Sequence, residues 1–488
     1  MNFLSIDIGS TGCKCQLFNE KGDILEYVFK EYDLKKIDAD IYVDIFAIEE
    51  NLKALIKEVS LKNDFQSIAI SSFGESFVLL DKDDNVLFLP MIYTDPRGEK
   101  EAEDLTKLFG EEQIFSVTGT IPQSLFSISK LLWIKNNKPE TFEKAEKIML
   151  ICDYLGYLLT GKAVIDYSLA ARTGIFDVEN KCFAEKMLEK LDISPKMFSE
   201  PRLAGSVVGE LTDEIKNELN IKGNCTLVLG SHDQICTSIG AGVLSAGDAV
   251  DGLGTVECIT TLFDSKPDNI EMGRMGYPCV PFAIDNIYCT YILNYSCGSF
   301  VNWVRKSIMH NYNGEEKDFF TYIEKDMTDE PTGILALPYL GGASTPYQNI
   351  NAKGAIIGLT VQTTDTELYK SVLEGTAMEM RFNGETVLPF NIRISNAVAT
   401  GGGASSEKWV QLKSDIQNIP IKVLRSSEGG LCGCAMLQAV AMGACKDLFE
   451  ARDVFVQYKN EFLPQNSKRY NAQYEKYKKL YPTVKEMF

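Results

Sequence analysis

Residues 227–261 read LVLGSHDQICTSIGAGVLSAGDAVDGLGTVECITT, an apolar run that breaks into a polar turn and starts again. Leu227-Val228-Leu229 predicts a strand ending in Gly230-Ser231-His232-Asp233, and a helical segment follows from Gln234 to Gly242. Asp233 therefore falls where a strand hands over to a helix, a position at which α/β proteins place ligands and reactive groups. A second strand leads into Asp251-Gly252-Leu253-Gly254-Thr255, a glycine-rich turn whose amides can approach a phosphate closely. A carboxylate and a phosphate-sized turn in succession point to phosphoryl transfer, with Asp233 as the base. A helix-capping aspartate and an ordinary hairpin would use the same residue types.

The pattern has a counterpart at the N-terminus. Residues 2–8 and 13–19 predict two strands joined by Asp7-Ile8-Gly9-Ser10-Thr11-Gly12, with Lys14 just beyond and a third strand over 23–30. The spacing is not that of a P-loop, yet turn amides, two hydroxyls and Lys14 as a point charge suit a phosphate. Gly254-Thr255 followed by Cys258–Phe263 repeats Gly9-Ser10-Thr11 followed by Cys15–Phe18. Two α/β domains of related topology are thus expected, 1–244 and 245–488, each presenting a hairpin turn to a shared cleft. Further on, a strand over 394–399, the triple glycine 401–403 and a helix over 405–417 make a nucleotide-shaped site at a helix N-terminus. The glycine spacing is not a Rossmann fingerprint.

Between these landmarks, apolar residues at helical spacing over 44–62 predict a crossover helix capped by Asp44, and 67–71 a strand. Glu75 lies on the loop after that strand, where a sugar hydroxyl could be held; a solvated loop glutamate is the plain alternative. Asp95 and Arg97 stand where a helix is expected to start, so capping explains Asp95 as well as ligand contact does. Residues 98–225 read as mainly helical and as one wall of the cleft. Helices over 298–309, 366–388 and 431–441 and a strand over 421–424 complete the outline.

A chain of 488 residues with 45% hydrophobic and 24% charged residues supports more than one globular core. The net charge of −19 opposes a nucleic-acid partner. No membrane-length apolar run and no signal peptide are present, so a cytoplasmic location is expected. Thirteen scattered cysteines read as reduced thiols, and two histidines, His232 and His310, preclude a histidine-rich metal site.

Together these segments resemble the FGGY carbohydrate kinase family over nearly the whole chain. One family pattern stands as Lys130-Leu131-Leu132-Trp133-Ile134-Lys135-Asn136-Asn137, with an atypical Leu125 at its start. The second is complete: Gly354, Ile356, Gly358-Leu359, Glu367-Leu368 and Ser371-Val372-Leu373-Glu374. The resemblance implies two domains of actin/hexokinase-like (ribonuclease H-like) ATPase fold facing a central cleft, sugar in the first and ATP in the second. It implies ATP contacts from Ser10, Thr11, Lys14, Gly254, Thr255, Gly402, Gly403 and Ala404, and Asp233 as catalytic base. Asp7 and Asp233 would hold Mg²⁺, through water. Glu75, Asp95, Arg97 and Asp233 would bind a small-molecule sugar or polyol, and a homodimer is one expected assembly. The implied reaction is phosphorylation of an open-chain ketose, a pentulose such as xylulose; a deoxy-ketohexose or a polyol such as glycerol is the alternative. A non-catalytic sugar and ATP sensor is the rival from another class. Departures bear on the acceptor: Gly74-Glu75 is neither the Met-His of typical xylulose kinases nor the Arg-Glu of glycerol kinases. His232 precedes the base, Tyr93 replaces a tryptophan, Ala343-Ser344 replaces Glu-Arg, and Val256-Glu257 follows Thr255.

Overall fold

The two apolar runs at the N-terminus pair with each other. β1 (Asn2–Ile8) and β2 (Gly12–Asn19) form an antiparallel hairpin, and β3 (Ile24–Glu31) adds to β2. The structure, a computed structural model, describes all residues except 310, 311, 313, 314, 316, 317 and 488, so His310 lies outside the described residues. α1 (Ile45–Ser60) starts where Asp44 accepts the amide of Ala47 at 3.3 Å and buries Ile45, Ile48, Leu52, Leu55, Ile56 and Val59. Burial of about 1.5–3 kcal/mol per aliphatic side chain holds that face on the sheet. The chain returns as β4 (Ser67–Ser72), parallel to β1 and buried along its whole length.

Residues 98–225 are mainly helical, as expected, but short strands interrupt the helices. α2 (Ser127–Asn137) and α3 (Tyr167–Ala171) are two of these helices; among the strands, Lys147–Leu150 pairs with Phe77–Leu80, and Val164–Asp166 with Glu200–Arg202. Strands of three or four residues are too short to display a period-2 pattern, which is why periodicity missed them. β5 (Val207–Glu210) and β6 (Thr226–Val228) complete the first sheet, in the order β5-β6-β4-β1-β2-β3, before α4 (Asp233–Gly240).

The same arrangement recurs. β7 (Asp248–Leu253), β8 (Glu257–Phe263) and β9 (Tyr288–Asn294) are antiparallel neighbours. α5 (Asp365–Thr386) crosses to β10 (Asn396–Thr400), and α6 (Glu407–Gln417) to β11 (Ile421–Leu424). Both strands run parallel to the central β7 side of the sheet. α7 (Gly429–Ala441) and β12 (Tyr458–Phe462) follow, giving the order β9-β8-β7-β10-β11-β12 with Val280–Pro281 outside β9. The chain is therefore a mixed α/β protein with two related sheets, as the repeated turn pattern predicted.

The second family pattern turns out to be architectural. Thr364 and Glu367 form a reciprocal capping box at the start of α5. Glu374 is buried and accepts from Thr332 Oγ1 at 2.6 Å and Gln473 Nε2 at 2.8 Å. α4 and α7 join the halves back to back. A Cβ on Gly240 would lie 1.9 Å from the Gly429 carbonyl oxygen, and one on Gly433 1.9 Å from that of Cys236. α7 also reaches the first sheet, where Gln438 Nε2 donates to the Leu4 carbonyl at 3.3 Å and to Ser5 Oγ at 3.2 Å.

Candidate active site

Asp233 occupies the first turn of α4, directly after the strand end, as its local sequence predicted. Ser231 fixes the approach: its Oγ donates to the buried Asp166 Oδ2 at 2.8 Å and lies 2.8 Å from Ser168 Oγ. Asp166 also caps α3, the helix that Arg172 directly follows, so one buried carboxylate sets two loops of the site. Burial, opposed by these hydroxyls, pushes Asp166 up to about 6.

The Asp233 side chain keeps 38% exposure, yet its Oδ1 is buried without a hydrogen-bond partner. Burial raises its pKa to about 6 against the lowering effect of the Gln234 amide, Arg172 and Lys14. His232 Nε2 lies 3.3 Å from Asp233 Oδ1. Burial first, then the Arg172 charge, pushes His232 down to about 3, so the imidazole is neutral and the contact is not an ion pair. Asp233 is thus left as a carboxylate with an open oxygen at neutral pH.

Glu75 is buried beside it and forms an ion pair with Arg172 Nη2. The Arg172 guanidinium lies between the Phe126 and Tyr291 rings, 5.5 and 5.6 Å from their centroids, and Tyr291 belongs to β9 of the other sheet. Sequence reasoning missed Arg172 and Asp166, because only the fold brings α3 to the end of β6.

Asp95 does not cap a helix. The next helix begins at Glu99 behind Gly98, and Asp95 instead grips Arg97, with Nε at 2.9 Å and Nη2 at 2.6 Å. Arg97 is further held by Asp40 at 2.9 Å and Tyr42 at 2.8 Å and faces the Trp133 ring. Buried Lys130 donates to the Tyr93, Asp95 and Ser124 carbonyls, and burial lowers it to about 8. The first family pattern therefore braces the Tyr93–Arg97 loop: Lys130 from below, Trp133 against the guanidinium.

On the first hairpin turn Ser10 and Thr11 are exposed, while Lys14 Nζ lies 3.3 Å from Asp7 and 2.6 Å from Glu428, the residue just before α7. Burial would lower Lys14, but Asp7 and Glu428 outweigh it and hold the ammonium charged. Asp7 accepts from Ser71 Oγ at 2.5 Å; burial raises its pKa, and the Asp233 charge adds to the rise. Asp7 and Asp233 are both hard carboxylates whose charges act on each other, and Asp233 keeps an unpartnered oxygen. No cluster of three His, Cys, Asp or Glu ligands exists among the described residues. This donor set fits Mg²⁺, which takes one or two carboxylates and completes its shell with water and phosphate.

The second turn opens on a cavity of about 630 Å³ lined by Gly254, Thr255, Gly402, Gly403, Asn302 and Glu324 among others. Neither Ser10, Thr11 nor Ala404 lines it, and Ala404 is buried. Its volume falls in the range of about 300–1,000 Å³ usual for small-molecule sites. Gly403 is required by packing: a Cβ there would meet Trp409 at 2.8 Å and Leu253 at 2.9 Å. Below the turn Lys413 of α6, fully buried, bridges Asp251 Oδ2 at 3.0 Å and Glu257 Oε1. It thereby ties the nucleotide-shaped helix to both strands of the hairpin.

Residues 2–240 match the N-terminal domain of the FGGY family of carbohydrate kinases, and residues 281–442 its C-terminal domain. Xylulose kinase of Staphylococcus xylosus is 27% identical, over 98% of this chain and 99% of that protein. Ligand-bound xylulose kinase from Lactobacillus acidophilus superposes with a TM-score of 0.90 at 25% identity, over 99% of this chain and 98% of its own. Gluconate kinase from Lactobacillus acidophilus does so with a TM-score of 0.90 at 26% identity, over the same 99% and 98%.

Proposed function

The chain belongs to the FGGY family of carbohydrate kinases and is an ATP-dependent sugar kinase, and we propose that its acceptor is an open-chain ketose, a pentulose such as xylulose. The observation that carries the mechanism is Asp233, a carboxylate with a buried, unpartnered oxygen beside a neutral histidine. In this reading the Asp233 carboxylate takes the proton of the acceptor hydroxyl as that hydroxyl's oxygen meets the γ-phosphorus. Glu75 and Arg172 orient the other hydroxyls, and Asp95 with Arg97 contributes through the loop they hold. Amides of the Gly254-Thr255 turn and of Gly402-Gly403 cradle ATP, with Lys14 opposite as a charge for the transferring group. Mg²⁺ at Asp7 and Asp233 would supply charge neutralisation on the phosphate oxygens when bound. Phosphoryl transfer needs little beyond such positioning and charge.

The same reading divides the chain at 244/245, with acceptor contacts before the boundary and the nucleotide cavity after it. A cytoplasmic location is supported by thirteen free thiols. No described helix is long and apolar enough to cross a membrane.

A sugar acid is the second reading, because Arg172 Nε is buried without a hydrogen-bond partner and a gluconate kinase is among the similar structures. Charge favours the ketose, since Glu75 already neutralises Arg172. An ADP-release screen over ketoses, polyols and sugar acids tests this. A pentulose should give the highest kcat/KM; a higher value with an aldonate or a polyol would overturn the choice.

A further inference from the structure

We propose that Arg172 binds the acceptor directly and that Glu75, by pairing with it, makes the pocket select uncharged polyhydroxy acceptors over sugar acids; this rests on the sugar-kinase reading of the same site. Arg172 fills space that residue 74 leaves free. A Cβ on Gly74 would lie 3.1 Å from Arg172 Cγ and 3.4 Å from His232 Cδ2, so a longer side chain there would displace one of them. Glu75 is held at φ 63°, a left-handed conformation that non-glycine residues seldom adopt, and its carbonyl is pinned by Ser127 Oγ at 2.7 Å. The backbone is thus fixed to aim this carboxylate at this guanidinium.

The guanidinium borders a cavity of about 120 Å³ between the halves, which it shares with Gln123, Phe126, Tyr291, Tyr295 and Gln348. Two aromatic rings flank it, and its Nε–H lacks an acceptor. A buried donor without a partner calls for one, and a ligand oxygen supplies it. Which oxygen is accepted follows from charge. Glu75 sits on Arg172 as an ion pair and already neutralises the guanidinium. A neutral hydroxyl can be accepted beside that pair, whereas a carboxylate would have to compete with the Glu75 carboxylate for the guanidinium. Removal of the Glu75 charge would free the guanidinium for a carboxylate, the pairing for which its geometry is best suited.

The test is calorimetric titration of gluconate and of xylulose into nucleotide-free wild type, Glu75→Gln, and Glu75→Gln with Arg172→Met. One unit charge removed at contact distance predicts roughly tenfold tighter gluconate binding to Glu75→Gln. The gain should vanish in the double variant, and the xylulose-to-gluconate affinity ratio should fall. A gain of threefold or more that depends on Arg172 supports the proposal. A smaller gain, or one that survives loss of Arg172, overturns it. Glu75→His, uncharged at pH 8, serves the same comparison should Glu75→Gln fail to fold. Absence of turnover by the wild type with every ketose and polyol would instead remove the acceptor assignment, and the gluconate comparison would still read the charge selection.

Discussion

Asp233→Asn separates the two things an aspartate can do at this position. Asparagine caps a helix about as well as aspartate, so a structural role predicts nearly full activity. A general base contributes roughly 10²–10⁴-fold, so kcat should fall by that much while sugar and ATP binding change little. Retention of more than about a third of wild-type kcat would refute the base. The pH profile carries a sign of its own. With Asp233 raised to about 6, kcat/KM should drop tenfold per unit below that value as the base protonates. Between its unfolded value and about 6 this group binds more protons when folded, so its titration stabilises the fold as pH falls. A limb there that tracks loss of folding, read by circular dichroism, would contradict the assignment. Asp233 was legible in the sequence because strand, turn and helix are all local. Arg172, Asp166 and Lys413 were not. Lys413 meets Glu257 across 156 positions, and nothing near either residue announces the other. Lys413→Met should leave Asp251 and Glu257 buried without a counter-charge, at a cost of about 3–5 kcal/mol. A denaturant midpoint close to that of the wild type would show the triad to be dispensable.

At the scale of elements, the predicted hairpins, crossover helices and parallel strands are present because each carried its own period or cap. Asp44, Thr364-Glu367 and the fully buried β4 are examples. What escaped were the strands within 98–225, which depend on partners brought from Phe77–Leu80 and Glu200–Arg202. The capping alternative for Asp95 failed for a related reason: a distant tyrosine and tryptophan hold Arg97, and Asp95 follows Arg97 rather than the helix. The contact of α4 with α7 was also silent, although its glycines were visible. Gly433→Ala tests that contact. The added methyl meets a backbone carbonyl that no rotamer can move, so overpacking should cost at least the usual 1–3 kcal/mol. A lower thermal midpoint together with reduced kcat is expected, since α4 carries Asp233 at its start. An unchanged midpoint would mean that the helices separate without cost.

Across the whole molecule, the net charge of −19 faces a nucleotide that is itself an anion. The described residues lining the cavity proposed for the nucleotide include Glu324 and no lysine or arginine. Lys14, the cation proposed to face the transferring phosphoryl group, is already shared between Asp7 and Glu428. In the proposed function the remaining phosphate charge would be met by turn amides and by a metal ion at Asp7 and Asp233. Free ATP carries two more negative charges than its Mg²⁺ complex, and each is repelled by the acidic surface as well as by the two carboxylates. Chelation of Mg²⁺ with EDTA should thus weaken ATP binding by at least about tenfold, while the affinity for an uncharged sugar stays unchanged. Long-range repulsion adds a second sign. Raising ionic strength from about 0.01 to 0.15 M shortens the screening length from about 30 to 8 Å, so association with nucleotide should become faster, opposite to the behaviour of a basic protein. Stopped-flow binding of a fluorescent ATP analogue, with and without Mg²⁺ at several salt concentrations, measures both effects. Equal affinity for free and Mg²⁺-bound nucleotide would show that the carboxylate pair holds no metal, and the phosphate charge would then have to be neutralised by residues outside Asp7, Lys14 and Asp233.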